Sequence, residues 1–92
     1  MIRSFRCRDT EELFGLKRNR RWTAIERPAL RKLVQLDLAQ TIDDMRSPPG
    51  NRLEPLSGDR VGQWSIRING QFRLCFRWTS DGPVDVEIVD YH

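Results

Sequence analysis

Alternating apolar and polar residues in the second half of the chain restrict its possible folds more than any other feature. A two-residue period places one set of side chains on a single face of a β-strand. Residues 63–68, 71–78 and 84–88 each follow this period, so we predict three strands that share an apolar face. The predicted inward residues are Trp64, Ile66 and Ile68, then Phe72, Leu74, Phe76 and Trp78, and finally Val84, Val86 and Ile88.

The turn between the first two of these strands decides which residues face each other. Asn69-Gly70 favours a two-residue hairpin loop, but that loop would place an arginine beside an apolar residue on each face. A three-residue loop, which pairs Ile68 with Phe72, keeps the apolar residues together. We therefore predict the longer loop or a bulge. The register that follows is Trp64 opposite Phe76, Ile66 opposite Leu74, and Arg67 opposite Arg73.

Helical spacing dominates the first half of the chain. A helix is predicted over about residues 24–40, beginning either at a Thr23/Glu26 capping box or with Pro28 as its first residue. Its core-facing residues are Trp22, Ile25, Ala29, Leu33 and Leu36. Shorter elements are a strand over Ile2–Cys7, helices capped by Asp9/Glu12 and Thr41/Asp44, a stop at residues 47–51 and a strand over residues 52–56. We predict an α+β fold, with two N-terminal helices packed on a small antiparallel sheet, as a single domain over residues 1–92.

The charge of the chain is divided unevenly along its length. Residues 1–52 carry twelve Lys or Arg against seven Asp or Glu, whereas residues 53–92 carry four against six. Arginine supplies fourteen of the sixteen cations, and its planar side chain suits contacts with phosphate. This composition favours a nucleic-acid partner. The basic run Lys17–Arg21 is either a solvated loop or an electrostatic contact surface for RNA.

Several classes of function are disfavoured by composition. One histidine and two well-separated cysteines are too few for a zinc site, so we expect neither a metal nor another cofactor. No apolar run is long enough to span a membrane, and the first residues lack the pattern of a secretory signal. We expect a cytoplasmic protein without membrane contact.

The outward face of the predicted sheet carries the chemistry. Arg67 and Arg73 lie directly opposite each other, and like charges in that arrangement destabilise a sheet. Either an anion lies between them, or Asp85 and Glu87 neutralise them. If the anion is an RNA phosphodiester, cleavage can use the 2′-hydroxyl as nucleophile, with side chains as base, acid and cation and without a metal. The outward residues expected on this face also include Ser65, Asn69, Arg77, Val89 and Tyr91.

Three stretches of the chain resemble the HigB branch of the RelE toxin superfamily. They are Leu56-Ser-Gly-Asp-Arg-Val-Gly-Gln-Trp-Ser-Ile-Arg-Ile, Phe72-Arg-Leu-Cys-Phe-Arg-Trp and the terminal Val89-Asp-Tyr-His. Met1-Ile-Arg-Ser-Phe and Ser47-Pro-Pro-Gly-Asn-Arg-Leu fit as well, so the resemblance runs nearly end to end. Within the branch the chain is most similar to the GraT-like toxins of pseudomonads. The combination of a Gly-Asp-Arg turn, a strand arginine and Asp-Tyr-His makes the resemblance specific.

The resemblance implies a ribosome-dependent mRNA endoribonuclease that cuts the codon in the A site of the 70S ribosome. It also implies a HigA-like helix-turn-helix antitoxin, through which alone the toxin reaches operator DNA. Arg73 matches the family's phosphate-stabilising arginine, and Tyr91 and His92, the only histidine, match its catalytic pair. Glu54 is the candidate base. The expected substrate-binding residues are Arg60, Arg67, Gln71, Arg77 and Asp90.

The chain departs from some relatives at three positions. Glu54, Ser57 and Gln71 stand where those relatives have histidine, lysine and asparagine. An ionised Glu54 cannot donate to phosphate, and the lost cation at Ser57 weakens charge stabilisation, so we predict a slow nuclease. The alternatives are a ribosome or RNA binder that inhibits translation without cutting, and an interaction protein whose basic half docks an acidic partner.

Overall fold

The computed structural model describes residues 1–91, which form two α-helices and one four-stranded antiparallel sheet. The helices are α1 (Arg8–Phe14) and α2 (Glu26–Leu38), and the strands are β1 (Glu54–Pro55), β2 (Trp64–Arg67), β3 (Phe72–Thr79) and β4 (Gly82–Asp90). The strands follow one another across the sheet in chain order. The predicted α+β class is confirmed. Of residues 1–91, no helix has both the length and the apolar character needed to cross a bilayer.

The predicted register between β2 and β3 is confirmed. Ile66 lies opposite Leu74, and Arg67 lies opposite Arg73. The backbone amide of Ile68 donates to the Phe72 carbonyl at 3.0 Å, which closes the three-residue loop. The Asn69 side chain accepts from the amide of Phe72 at 2.8 Å and so stabilises the turn.

A bulge in β4 makes one prediction wrong. Cys75 pairs with Glu87 but Arg77 pairs with Val84, so β4 contains one residue more than β3 between these pairs. The bulge lies at Asp85, which has a φ of 53°, a value that aspartate tolerates better than most residues. Val84 therefore shares a face with Arg77 and is only half-buried, although the alternation predicted it in the core.

Helix α2 packs its predicted apolar side into the core. Ala29, Leu33 and Leu36 are fully buried together with Ile66, Leu74 and Phe76 of the sheet. Both predicted helix starts are wrong, because a 3-10 turn over Arg20–Ile25 precedes the helix. Pro28 lies in the first helical turn, where a missing N–H group breaks no helical hydrogen bond.

The predicted capping box at the start of α1 is also wrong. Asp9 lies inside the first turn, and its carboxylate accepts from the Asn19 amide at 2.9 Å and from Arg21 at 3.1 Å. The hydrogen bonds from Asn19 and Arg21 lower the pKa of Asp9. Arg21 also stacks on the Trp22 ring at 4.6 Å. The basic run is thus held at Asn19 and Arg21, while the side chains of Lys17, Arg18 and Arg20 stay exposed.

Residues 2–7 run beside β4 without forming the predicted edge strand. A single parallel bridge joins Phe5 to Val86. The Arg3 amide donates to the Pro83 carbonyl at 2.8 Å, and the Val86 amide donates to the Ser4 carbonyl at 3.2 Å. After α2, the Thr41/Asp44 capping box is confirmed and opens a 3-10 turn over Ile42–Arg46. Of the strand predicted over residues 52–56, Glu54–Pro55 forms as β1.

Candidate active site

The face of the sheet opposite the helices carries Arg67, Arg73 and Arg77, and we call it the arginine face. One row of cross-strand neighbours runs across all four strands beneath these side chains. Glu54 pairs with Ser65, Ser65 with Cys75, and Cys75 with Glu87. The two ends of the row are carboxylates, whereas Ser65 and Cys75 at its centre are fully buried.

Arg73 is held by three different acceptors. Its Nε donates to the hydroxyl of Ser65 at 2.9 Å, and its Nη2 donates to the backbone carbonyl of Arg52 at 2.7 Å. Its Nη1 lies 3.0 Å from a carboxylate oxygen of Glu54. A guanidinium has five N–H donors, so further donors remain for the oxygens of a phosphate. Arg73 is therefore a fixed cation that can still bind an anion.

The repulsion between the opposed Arg67 and Arg73 is reduced by a different partner for each. Arg67 turns its Nε to the carbonyl of Asn69 at 3.1 Å, while Glu54 neutralises Arg73. Asp85 and Glu87, proposed from sequence as the neutralising pair, bind elsewhere: Asp85 lies 3.7 Å from Arg77, and Glu87 lies 2.8 Å from Arg60. The negative charge beside Arg73 thus comes from β1, and that interpretation of Asp85 and Glu87 is wrong.

Tyr91 lies next to Arg73. The guanidinium carbon is 5.8 Å from the centre of the Tyr91 ring, within the range of a cation–π contact. The Tyr91 amide donates to the Gln71 carbonyl at 2.6 Å, and the Gln71 side chain donates to the Asp90 carboxylate at 3.1 Å. The structure therefore gathers Gln71, Asp90 and Tyr91 around one end of β3, beside Arg73. His92, the other predicted catalytic residue, lies outside the described residues.

Arg60 and Arg77 occupy different parts of the arginine face. Arg60 donates to Glu87 at 2.8 Å and to the Gln63 side chain at 3.0 Å, and its hydrogen bond with Glu87 raises its pKa. Arg77 is four residues from Arg73 on the same strand, which separates them by about 13 Å. The structure brings Glu54 and Tyr91 to Arg73, whereas Arg77 lies at the far end of the strand.

Two supports of Arg73 were missed by the sequence analysis. The first is Ser65, which was predicted on the outward face. The alternation of apolar and polar residues gives no sign of its contact with Arg73. The strand register does, because it places Ser65 opposite Cys75 and therefore diagonal to Arg73. The second support is the carbonyl of Arg52, a residue whose φ is 47°. A backbone oxygen has no sequence signature, so this contact could not be predicted.

Burial raises the pKa of the Cys75 thiol from 9.0 to about 11, while Arg60 opposes the shift. The folded protein keeps this proton to a higher pH than the unfolded chain does. The contribution of Cys75 to the free energy of unfolding is therefore fully present below about pH 9 and is lost as the pH rises toward 11. We expect the unfolding free energy to fall by about 2 kcal/mol over that range through this group. Urea unfolding across the range checks it.

The matched variants for this measurement are Cys75→Ala and Cys7→Ala. Cys75→Ala should flatten the alkaline decline, because the buried thiol is gone. Cys7→Ala should leave the decline as in the parent protein, since Cys7 is only partly buried. An unchanged decline in Cys75→Ala would assign the pH dependence to other groups.

Two further features bear on what the chain can bind. Within residues 1–91, no group of three or more His, Cys, Asp or Glu side chains is placed to hold a metal ion. A wide, open concavity of about 870 Å³ lies where the basic run meets the start of α2. Its lining residues include Arg18, Arg20 and Arg27 but none of the groups that contact Arg73.

The fold is shared with a solved structure of a bacterial toxin. The chain is similar to the solved structure of a YoeB/ParE toxin from Agrobacterium tumefaciens, with a TM-score of 0.51 and 23% identity. The likeness covers 99% of this chain and 96% of the other. At this identity the comparison establishes the shared fold.

The family follows from the sequence. Residues 8–92 match the family model of HigB-like toxins, described as a RelE-like toxin of the type II toxin-antitoxin system HigB. The chain belongs to this family, which confirms the resemblance found in its motifs. A toxin of such a system has an antitoxin as partner.

Two curated relatives support this assignment. The chain is 47% identical over 70 residues to Toxin HigB-1 of Vibrio cholerae, an alignment that covers 76% of this chain and 73% of that protein. It is 31% identical over 61 residues to Endoribonuclease HigB of Proteus vulgaris, covering 66% of this chain and 65% of the relative.

Proposed function

We propose that this protein is a ribosome-dependent endoribonuclease that cuts mRNA in the A site and thereby inhibits translation. The observation that carries the proposal is Arg73, an oriented cation with Glu54 on one side and Tyr91 on the other. That constellation suits a phosphodiester better than a neutral ligand. The name of the Proteus vulgaris relative, an endoribonuclease, supports the same class of reaction.

The proposed reaction begins with attack of the 2′-hydroxyl on the adjacent phosphorus. Glu54 accepts the hydroxyl proton as the new O–P bond forms, and Arg73 stabilises the charge of the phosphorane. The bond to the 5′-oxygen then breaks, and His92 donates a proton to that leaving oxygen. Tyr91 packs beside the reacting phosphate. The products are a 2′,3′-cyclic phosphate and a 5′-hydroxyl, and no step uses a metal or another cofactor.

The role of Glu54 is tested by Glu54→Gln, which keeps the size of the side chain but removes the proton acceptor. We expect the cleavage rate to fall about 100-fold, within the range of general-base contributions. Single-turnover cleavage of ribosome-bound mRNA measures it. Faster cleavage would instead mean that Glu54 has no role as a base and only competes with the phosphate for Arg73.

Binding to the ribosome is supported by the basic surface beside α2. Arg18, Arg20 and Arg27 surround the 870 Å³ concavity, and phosphate contacts from such a cluster give affinity without reading sequence. We propose that this surface contacts ribosomal RNA while Arg60, Arg67, Gln71, Arg77 and Asp90 contact the mRNA. Affinity for the ribosome should then decrease steeply as salt concentration rises.

The antitoxin that we propose is a HigA-like helix-turn-helix protein. Membership of the HigB-like family supports it, since that family is defined by the type II toxin-antitoxin system HigB. Operator DNA would be contacted by the antitoxin alone. We further propose that residues 1–92 are a single toxin domain acting in the cytoplasm, where its ribosomal target lies.

Primer extension on a defined mRNA in a purified translation system, with and without ribosomes, tests the function. Cuts within A-site codons that need ribosomes, and that disappear in Arg73→Ala and on deletion of His92, are expected. Blocked translation without cuts would favour the non-cleaving ribosome binder. Normal translation would contradict both.

A further inference from the structure

We propose that Ser65 is a positioning residue for the reaction: its buried hydroxyl, together with the Arg52 carbonyl, sets the orientation in which Arg73 meets the phosphate. This inference rests on the proposed nuclease function. It concerns a residue that is fully buried and so acts through Arg73 without touching the substrate.

The first argument is the position of Ser65 in the sheet. Ser65 of β2 lies opposite Cys75 of β3. Arg73 is two residues before Cys75 on β3 and shares its face of the sheet. Arg73 must therefore extend diagonally across to β2 for its Nε to reach the Ser65 hydroxyl at 2.9 Å. A serine is small enough to leave that path open and still offers an acceptor to the guanidinium of Arg73, whose side chain is 14% exposed.

The second argument is the charge of the three acceptors. Ser65 and the Arg52 carbonyl are neutral, so they hold Arg73 without cancelling its positive charge. Glu54 is charged and its side chain is 52% exposed, which makes it the partner that a phosphate can displace. When Glu54 turns from Arg73 to the 2′-hydroxyl, the two neutral acceptors still hold the guanidinium in place. Preorganised donors of this kind stabilise a transition state without reorganising during the reaction.

The test is a double-mutant cycle with Ser65→Ala, Arg73→Ala and the double variant. Single-turnover cleavage and affinity for a non-cleavable 2′-O-methyl mRNA on the ribosome are both measured. We expect Ser65→Ala to slow cleavage about tenfold, with less than about a twofold change in affinity. In the Arg73→Ala background the same substitution should change the rate less than twofold, because the group it positions is absent.

Equal losses in both backgrounds would assign Ser65 a purely structural role and overturn the proposal, as would full activity of Ser65→Ala. Ser80→Ala, in an exposed turn, is the matched control and should behave like the parent. Should Ser65→Ala fail to fold, Ser65→Cys keeps the small side chain with a poorer acceptor and is expected to show the same coupling to Arg73.

The NMR signal of the Arg73 Nε–H group separates this inference from the proposed function. In the parent protein the hydrogen bond to Ser65 should protect this proton from exchange, and Ser65→Ala should abolish the protection. Protection that depends on Ser65 in a protein without nuclease activity would refute the proposed function while keeping the contact. Equal exchange in both proteins would refute the positioning role whatever the activity.

Discussion

Replacing Arg73 by alanine is expected to reduce mRNA cleavage by about 100- to 1,000-fold, the usual cost of removing one donor that stabilises developing negative charge. The reduction in cleavage rate should be large because Ser65, Arg52 and Glu54 together hold Arg73 in a fixed orientation. Its removal leaves Glu54 as an unpaired negative charge beside the incoming phosphate. Single-turnover cleavage on the ribosome measures the effect.

Arg77→Ala is the matched control for this variant. It removes an arginine from the same strand and face, but one paired with Asp85 at 3.7 Å and about 13 Å from Arg73. We expect it to cost less than about tenfold in rate. Comparable losses in both variants would mean that the overall positive charge of the face, and no single cation, drives cleavage.

Replacing Asn51 by alanine is expected to destabilise the fold by about 3 kcal/mol, the upper range for a buried hydrogen-bonded side chain. Asn51 is fully buried, and its amide donates to the carbonyls of Met45 at 3.1 Å and Ser47 at 3.2 Å. Its oxygen accepts from the Lys32 ammonium. Alanine would remove the Asn51 hydrogen bonds of the Met45 carbonyl and the Lys32 ammonium, whereas the Ser47 carbonyl would still accept from the Gln35 side chain. The midpoint of urea unfolding measures the loss.

The site should weaken along with the fold, because Asn51 directly precedes Arg52, whose carbonyl binds Arg73. We expect Asn51→Ala to lower the cleavage rate even at temperatures where the protein is folded. Gln40→Ala removes an exposed amide instead and should change neither property by a measurable amount. A stable Asn51→Ala protein would show that water or a rearranged Lys32 replaces the lost contacts.

The sheet could be predicted from sequence because a two-residue period leaves little freedom of register. Pairing Ile68 with Phe72 was the arrangement that kept both faces consistent, and it placed Arg67 opposite Arg73 as observed. The prediction failed at Val84, where a bulge at Asp85 shifts the alternation by one residue. The two-residue period contains no sign of an extra residue in a strand. The face predicted for residues on the far side of a bulge is therefore the wrong one.

The helix starts and the supports of the site depend on contacts between distant residues. Asp9 has the spacing of a helix cap, yet its carboxylate binds Asn19 and Arg21 in a later segment. In the same way Ser65 reads as an outward strand residue, and only the structure shows that it is buried and bound to the Arg73 side chain. Sequence patterns thus located the arginine face, whereas the partners that orient its residues required the structure.

The bridge between Phe5 and Val86 has a consequence for how the protein is made. The Asp85 amide binds the Ser4 side chain across 81 positions of the chain, and the Ile88 amide binds Thr10 across 78. Contacts this remote in sequence form late, since a long stretch of chain must be ordered before they close. During synthesis Ser4 and Thr10 therefore lack these backbone partners until β4 emerges. A protein with these contacts completes its fold only after β4 has been synthesised.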